Sequence, residues 1–94
     1  MAIVVKFEVN GMDVAKYESV IKELEKSGLG HPEGRLYHVA YGDKKKLQVI
    51  DVYESQAKLD AFGSKLVPIL QKHGVAAKPE PIEAHNIIVP KGKK

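Results

Sequence analysis

The sequence predicts an α+β fold whose strands and helices follow the order β-α-β-β-α-β. Three observations predict this order: short runs in which apolar residues alternate, two stretches with apolar residues at helical spacing, and glycine-containing turns between them. The chain has 94 residues, a length that suits one hydrophobic core. We therefore expect one domain over residues 1–90, followed by a disordered basic tail at residues 91–94.

The first half of the chain contains a predicted strand and a predicted helix. Ala2 to Val9 alternates between two faces, is rich in β-branched residues, and ends at an Asn-Gly turn. Asp13 is a suitable N-cap for the helix that follows, and Gly28 is a suitable stop. The apolar stripe of this helix consists of Val14, Tyr17, Val20, Ile21 and Leu24.

The second half contains a predicted hairpin, a second helix and a last strand. Residues 35–41 and 47–54 are the hairpin strands, and a polar, lysine-rich tip separates them. Ser55 is the expected N-cap of the second helix, which ends at Gly74. The last strand is predicted over residues 82–89, between two prolines. The second helix has an apolar face formed by Leu59, Phe62, Leu66, Ile69 and Leu70.

This element order fits a ferredoxin-like βαββαβ fold. Two right-handed βαβ crossovers place the strands in a four-stranded antiparallel sheet of order 4-1-3-2, with both helices on one face. The other face has no cover within the chain. Since large exposed apolar patches are rare on monomers, we expect a homodimer that stacks sheet on sheet through this face, as in a dimeric α/β barrel.

The register of the hairpin predicts which residues share a face. If Lys44 and Lys45 form the tip, His38 lies opposite Asp51 and Leu36 lies opposite Tyr53. The more apolar set of the hairpin is expected under the helices: Tyr37, Val39, Tyr41, Ile50 and Val52. The residues of the first strand expected on the same face are Ile3, Val5, Phe7 and Val9. The mixed set is expected on the uncovered face: Leu36, His38, Ala40, Val49, Asp51 and Tyr53. A slip of one residue would exchange the faces of one strand.

Composition and charge exclude several functions. The chain has no cysteine, which excludes disulfides and thiolate zinc sites and fits a reduced, cytoplasmic location. Its apolar runs are too short for a membrane span or a signal peptide. The net charge is +3, but three lysines lie in the last four residues, and the helices carry mixed charge. We therefore expect no nucleic-acid partner and no membrane partner.

Several polar residues are candidates for a site. His38 beside Asp51 is suited to general-base chemistry, because the carboxylate fixes the imidazole tautomer; the alternative is a cross-strand pair with a structural role. Tyr53, Tyr17 and His31 are candidate ligand contacts. The alternatives are that Tyr53 is an aromatic residue of the barrel wall, that Tyr17 belongs to the apolar core of the helix, and that His31 is a solvent-exposed loop residue. Leu36 is expected to line the same cavity. No acidic or histidine pair has the spacing of metal ligands, so no metal is expected.

The chain resembles the dimeric α/β-barrel superfamily, and in particular it is similar to small proteins grouped with antibiotic-biosynthesis monooxygenases. The resemblance covers nearly the whole chain, and its most distinctive part is the step Asp51-Val-Tyr53-Glu-Ser55 into the second helix. It is also carried by the run Gly34-Arg-Leu-Tyr-His38, by Leu59-Asp-Ala-Phe62, and by Tyr17, Leu66, Pro68, Leu70 and Gly74.

The resemblance implies a set of alternative activities. The family includes cofactor-independent oxygenases of polycyclic aromatic substrates, haem-degrading enzymes, isomerases and members without an assigned activity. Its catalytic members commonly carry a histidine nine positions after the aromatic residue of the step, where this chain has Phe62. Tyr53 also replaces a more usual tryptophan. Both departures count against haem degradation and weaken the oxygenase interpretation.

We expect a homodimer that binds a small apolar or aromatic molecule in a cavity beside the sheet-sheet interface. The enzymatic alternative is a cofactor-independent monooxygenase in which His38, oriented by Asp51, deprotonates an aromatic substrate that then reacts with oxygen. A third alternative is a structural dimer without a ligand. None of the three needs a cofactor.

Overall fold

The computed structural model describes residues 2–88, and its element order is the predicted one. The last part of the predicted final strand and the basic tail lie outside the described residues. None of the helices within residues 2–88 has the length and apolar character needed to cross a bilayer. The elements are β1 (Ile3–Asn10), α1 (Val14–Lys26), β2 (Arg35–Asp43), β3 (Lys46–Tyr53), α2 (Gln56–Lys72) and β4 (Ala76–Glu83).

The four strands form one antiparallel sheet in the order β2-β3-β1-β4. This is the predicted 4-1-3-2 order, so the ferredoxin-like fold is confirmed. The core lies between one face of the sheet and the two helices, and it includes Val5 and Val9 of β1 as predicted. Val20 and Leu24 of α1 and Leu59, Phe62 and Leu70 of α2 supply the helical side of this core.

Both helices begin at the predicted caps. The side chain of Asp13 accepts a hydrogen bond from the backbone N–H of Lys16 at 2.8 Å. The hydroxyl oxygen of Ser55 accepts from the backbone N–H of Lys58 at 3.3 Å. Each cap therefore satisfies an N–H group that has no partner inside its helix. Gly74 follows α2 with a φ of +71°, a conformation that favours glycine.

The last strand lies earlier in the chain than predicted. β4 runs over Ala76–Glu83 rather than residues 82–89, and it pairs with β1 from Asn10↔Ala76 to Ile3↔Glu83. The prediction started the strand after Pro81, whereas the observed strand contains both Pro79 and Pro81. An edge strand tolerates proline wherever the missing N–H would point away from its neighbour.

The hairpin register is confirmed at the tip and shifts at the start of β2. Asp43 pairs with Lys46, and His38 pairs with Asp51 as predicted. A β-bulge between Arg35 and Tyr37 removes Leu36 from the ladder, so Arg35 rather than Leu36 lies opposite Tyr53.

The face assignment of β2 and β3 is the reverse of the prediction. Asp51 and Tyr53 are 3% and 0% exposed and lie on the helix-covered face, where Val5 pairs with Asp51. Tyr37, Val39 and Tyr41 are exposed on the opposite side of the sheet, together with Lys6 of β1, and we call this side the open face. Polar residues can lie under the helices here because they satisfy one another's hydrogen bonds.

Candidate functional site

A small cavity lies between the helix-covered face of the sheet and the two helices, inside the protomer rather than beside the open face. It has about 60 Å³ of space accessible to water-sized molecules. At about 10–15 Å³ for each water molecule, this is room for about four to six waters, and the cavity is partly open to solvent. Its walls are apolar apart from Tyr17, Arg35, His38 and Asp51, and they include Val20, Ile21, Leu24, Val49, Phe62 and Leu66.

His38 and Asp51 are the centre of the polar wall. They lie opposite each other on β2 and β3, and Nδ1 of His38 is 2.6 Å from Oδ1 of Asp51. Because an ionised carboxylate can only accept, the imidazole donates from Nδ1. In the neutral tautomer this leaves Nε2 as a proton acceptor, which is the arrangement a general base requires.

Tyr17 covers that acceptor. Its hydroxyl oxygen is 2.8 Å from Nε2 of His38, and with Nδ1 protonated the hydroxyl donates to Nε2. The two rings are parallel, with an angle of 1° between their planes. Tyr17 and His38 both line the cavity, so a bound molecule can give a proton to His38 directly or through the Tyr17 hydroxyl.

Tyr53 holds the second oxygen of Asp51. The Tyr53 hydroxyl donates to Oδ2 at 2.9 Å, so both carboxylate oxygens have a partner. Burial, followed by the negative charge of Asp51, raises the pKa of Tyr53 far above its usual value. Burial also raises the pKa of Tyr17. Both tyrosines therefore stay protonated at neutral pH, and Tyr17-His38-Asp51-Tyr53 forms a continuous hydrogen-bonded network.

Arg35 is a cavity residue that the sequence analysis missed. It is the first residue of β2, and its Nη2 donates to the carbonyl oxygen of Gly30 at 3.1 Å. Its guanidinium carbon lies 5.8 Å from the centre of the Phe62 ring, within the range of a cation–π contact. The only signal in the sequence was its place beside a glycine at a strand start, which alone does not distinguish a site residue.

The structure separates Leu36 and His31 from the other predicted site residues. Leu36 is 49% exposed at the bulge of β2, and His31 is exposed in the loop before that strand. Neither lines the cavity that contains Tyr17, His38 and Asp51. Tyr53 does not line it either; it lies behind Asp51, fully buried, so its hydroxyl serves the carboxylate.

Phe62 occupies the position at which the resemblance leads us to expect a histidine. It is buried, lines the cavity, and lies with its ring centre 6.5 Å from that of Tyr53. The histidine of the cavity wall is therefore supplied by β2 rather than by α2. Within residues 2–88 there is no cluster of three or more potential metal ligands of the His, Cys, Asp or Glu type.

Solved structures with this architecture come from several bacteria. SnoaB, a cofactor-independent oxygenase from Streptomyces nogalater, is 18% identical, with 93% of this chain and 94% of that chain covered and a TM-score of 0.60. A protein of unknown function from Nitrosomonas europaea is 15% identical, with 97% and 94% covered and a TM-score of 0.65. The chain has the fold of these proteins. It also matches a candidate antibiotic biosynthesis monooxygenase from Deinococcus radiodurans at 14% identity, with 98% and 100% covered and a TM-score of 0.62.

These similarities confirm the resemblance to monooxygenase-like ferredoxin-fold proteins at the level of the fold. No family model matches the sequence, and no curated protein matches it either. At 14–18% identity the solved structures carry the architecture and not the activity. Any function of this chain has to be argued from its own cavity.

Proposed function

We propose that the protein binds a small, largely apolar molecule, in the first place a single aromatic ring, in the cavity between the helices and the sheet. The observation that supports this is an apolar cavity with one hydrogen-bonding wall, Tyr17-His38-Asp51, which is the usual composition of a small-molecule site. The apolar lining supplies affinity, and the polar wall orients a hydroxyl or carbonyl group of the ligand.

The volume limits the size of the ligand. The enclosed space is smaller than the about 150 Å³ of an engineered cavity that binds benzene, so a single ring has to use the opening of this cavity to solvent as well. A fused polycyclic system requires α1 and α2 to move away from the sheet. We therefore expect phenol-sized compounds to bind without a change in backbone structure.

Filling the cavity tests this proposal. Ala77 lines the cavity from β4, and its neighbour Ala76 is exposed, so Ala77→Leu and Ala76→Leu form a matched pair. Thermal shift and NMR titration with phenol and toluene should show binding to the wild type and to Ala76→Leu, and at least tenfold weaker binding to Ala77→Leu. Equal binding by both variants would place the ligand elsewhere, and no binding to the wild type would favour a protein without a ligand.

The second candidate is a cofactor-independent monooxygenase. It is supported by the 2.6 Å hydrogen bond between Nδ1 of His38 and Oδ1 of Asp51, which orients the imidazole as a base. It is also supported by the fold that the chain shares with the oxygenase SnoaB. His38 would remove the proton of a phenol or enol, and the resulting anion would react with dioxygen. One oxygen atom enters the substrate and the other leaves as water, with the substrate supplying the electrons.

An isotope experiment tests this alternative. Incubation of phenolic substrates under ¹⁸O₂ should label the product, and His38→Gln should abolish the labelling without loss of the fold. His31→Gln is the matched control because His31 is exposed and does not line the cavity. Labelling that survives His38→Gln would remove the base role, and ligand binding without any labelling would leave the binding function alone.

We also propose a homodimer that buries the open face. Val39 is 52% exposed there, and Tyr37 and Tyr41 flank it, which is an unusual concentration of exposed apolar side chains for a monomer. Sedimentation velocity should give a dimer for the wild type and a shift to monomer for Val39→Glu, with Lys22→Glu on α1 as the control. A wild-type monomer at micromolar concentration would refute this assembly.

A further inference from the structure

We infer that Arg35 makes the cavity selective for aromatic ligands with an acidic oxygen, by holding the anion that forms when the ligand gives its proton to the His38 network. This inference rests on the proposed ligand-binding function and adds the chemical class of the ligand.

The guanidinium of Arg35 is held in place from two sides. The carbonyl of Gly30 accepts one of its hydrogen bonds, and the ring of Phe62 lies against it. A guanidinium has five N–H donors, so this arrangement leaves donors for a ligand. Within residues 2–88 no carboxylate lies within 4.0 Å of Arg35, although Arg35 lines the same cavity as Asp51.

The nearest buried carboxylate is already used. Asp51 accepts from His38 through one oxygen and from Tyr53 through the other. Arg35 and Asp51 line the cavity with one positive and one negative charge, so their sum is zero. An anionic ligand would add a negative charge that this pair does not neutralise. An anionic ligand therefore needs a second positive charge, and protonation of His38 supplies it.

The proton transfer that follows is electrically neutral overall. The O–H bond of the ligand breaks and an N–H bond forms at Nε2 of His38, either directly or through the hydroxyl of Tyr17, which gives its proton to Nε2 and takes that of the ligand. The imidazolium then faces Asp51, and the phenolate or enolate faces Arg35. Each new charge then lies beside a charge of opposite sign, which offsets part of the cost of burying it, so a ligand that releases a proton gains an interaction with Arg35 that a neutral ligand of the same shape lacks.

The experiment uses ¹³C-labelled phenol, whose ring-carbon chemical shifts report ionisation of the hydroxyl, with toluene as the neutral ligand of similar shape. The pKa of bound phenol, measured by NMR, should be about 1 unit or more below that of the free compound, since a positive charge within about 4–6 Å lowers a pKa by about 1–3 units. Arg35→Met should abolish this shift while toluene affinity changes less than about threefold. Lys22→Met, on the exposed side of α1, should keep the full shift.

The outcomes distinguish this inference from the proposed function. If neither compound binds, ligand binding itself is wrong. If toluene binds and the pKa of phenol is unchanged in the wild type, or if the shift persists in Arg35→Met, the role of Arg35 is refuted while ligand binding stands. Should Arg35→Met fail to fold, Arg35→Gln and Arg35→Lys decide instead: the inference requires loss of the shift in the former and retention of part of it in the latter.

Discussion

Removing the hydroxyl of Tyr53 tests the buried network by a change of one atom. The Tyr53→Phe substitution keeps the ring, which is 0% exposed, and deletes only the donor to Oδ2 of Asp51. Asp51 keeps its contact with His38 but loses its second hydrogen bond. Because Asp51 is 3% exposed, the substitution leaves a buried acceptor oxygen without its donor.

The expected cost is about 2 kcal/mol, because hydrogen bonds to charged groups contribute about 1.5–3 kcal/mol. For a domain of this size, that corresponds to a fall of about 10 °C in Tm. In urea it corresponds to a fall of about 1–2 M in the midpoint with an unchanged slope. Tyr37→Phe is the matched control, and since Tyr37 is exposed we expect a change within about 0.5 kcal/mol.

The difference between wild type and Tyr53→Phe should also depend on pH. Burial and Asp51 raise the pKa of Tyr53 in the folded state, whereas in the unfolded state it titrates near 10. Above pH 10 the unfolded chain therefore releases a proton that the folded chain retains, and the wild type loses stability with rising pH. The stability difference should stay constant below about pH 9 and shrink above pH 10 by up to about 1.4 kcal/mol for each pH unit.

Urea titrations of both proteins between pH 7 and pH 11 provide the measurement, and lysine titration cancels because both chains have the same lysines. A difference that remains constant up to pH 11 would refute the raised pKa. A difference below about 0.5 kcal/mol at pH 7 would mean that the Tyr53-Asp51 hydrogen bond does not stabilise the fold.

Two further predictions concern contacts outside the cavity. Glu23→Gln should lower Tm at pH 7, because Glu23 on α1 is 2.9 Å from Nε2 of His73 at the end of α2. Hydrogen bonds from His73, then from Lys72, hold the pKa of Glu23 below its usual value. The difference in Tm between wild type and Glu23→Gln should therefore fade as the pH drops through that lowered pKa. Glu25→Gln is the control and should have little effect on Tm. Gly34→Ala should cost at least about 1–2 kcal/mol in urea unfolding, because Gly34 has a φ of +86°. The new Cβ would lie 2.5–2.8 Å from side-chain carbons of Lys58, so Lys58→Ala should recover part of this loss; full stability of Gly34→Ala would contradict the prediction.

The element order and the helix starts could be predicted because they depend on local patterns. Asp13 and Ser55 precede helical apolar stripes, and both act as caps. Lys44 and Lys45 form a two-residue tip, which fixed most of the hairpin register. These signals need no knowledge of distant residues, because the groups that interact lie within a few positions of one another.

The face assignment of the hairpin could not be predicted from apolar content. Val39 and Ile50 belong to the more apolar set and lie away from the helices, whereas Asp51 and Tyr53 lie under them. The pairing of β1 with β3, which places Val5 opposite Asp51, decides the face, and that pairing joins residues 46 positions apart. Mutual hydrogen bonding makes the polar set compatible with burial, and it is visible only in three dimensions.

The residues predicted to line a cavity on the open face lie on the helix-covered face for the same reason. The residue types were a useful guide, because His38, Asp51 and Tyr17 do lie together in one network. The part played by Arg35 depends on its contacts with Gly30 and Phe62, and no spacing rule in the sequence connects these three residues.

The two prolines of β4 have a consequence for polymerisation of the sheet. Pro79 and Pro81 are two residues apart, so their backbone nitrogens point to the same side of β4. Because the pairing of β4 with β1 continues through both residues, these nitrogens point away from β1, to the outer side of the sheet. An incoming strand would find two successive positions without a donor on this side. β2, the other edge strand of the described sheet, carries no proline. The missing donors disfavour strand addition at the β4 edge, and because growth of a fibril by edge-to-edge pairing uses both edges, the two prolines act against it.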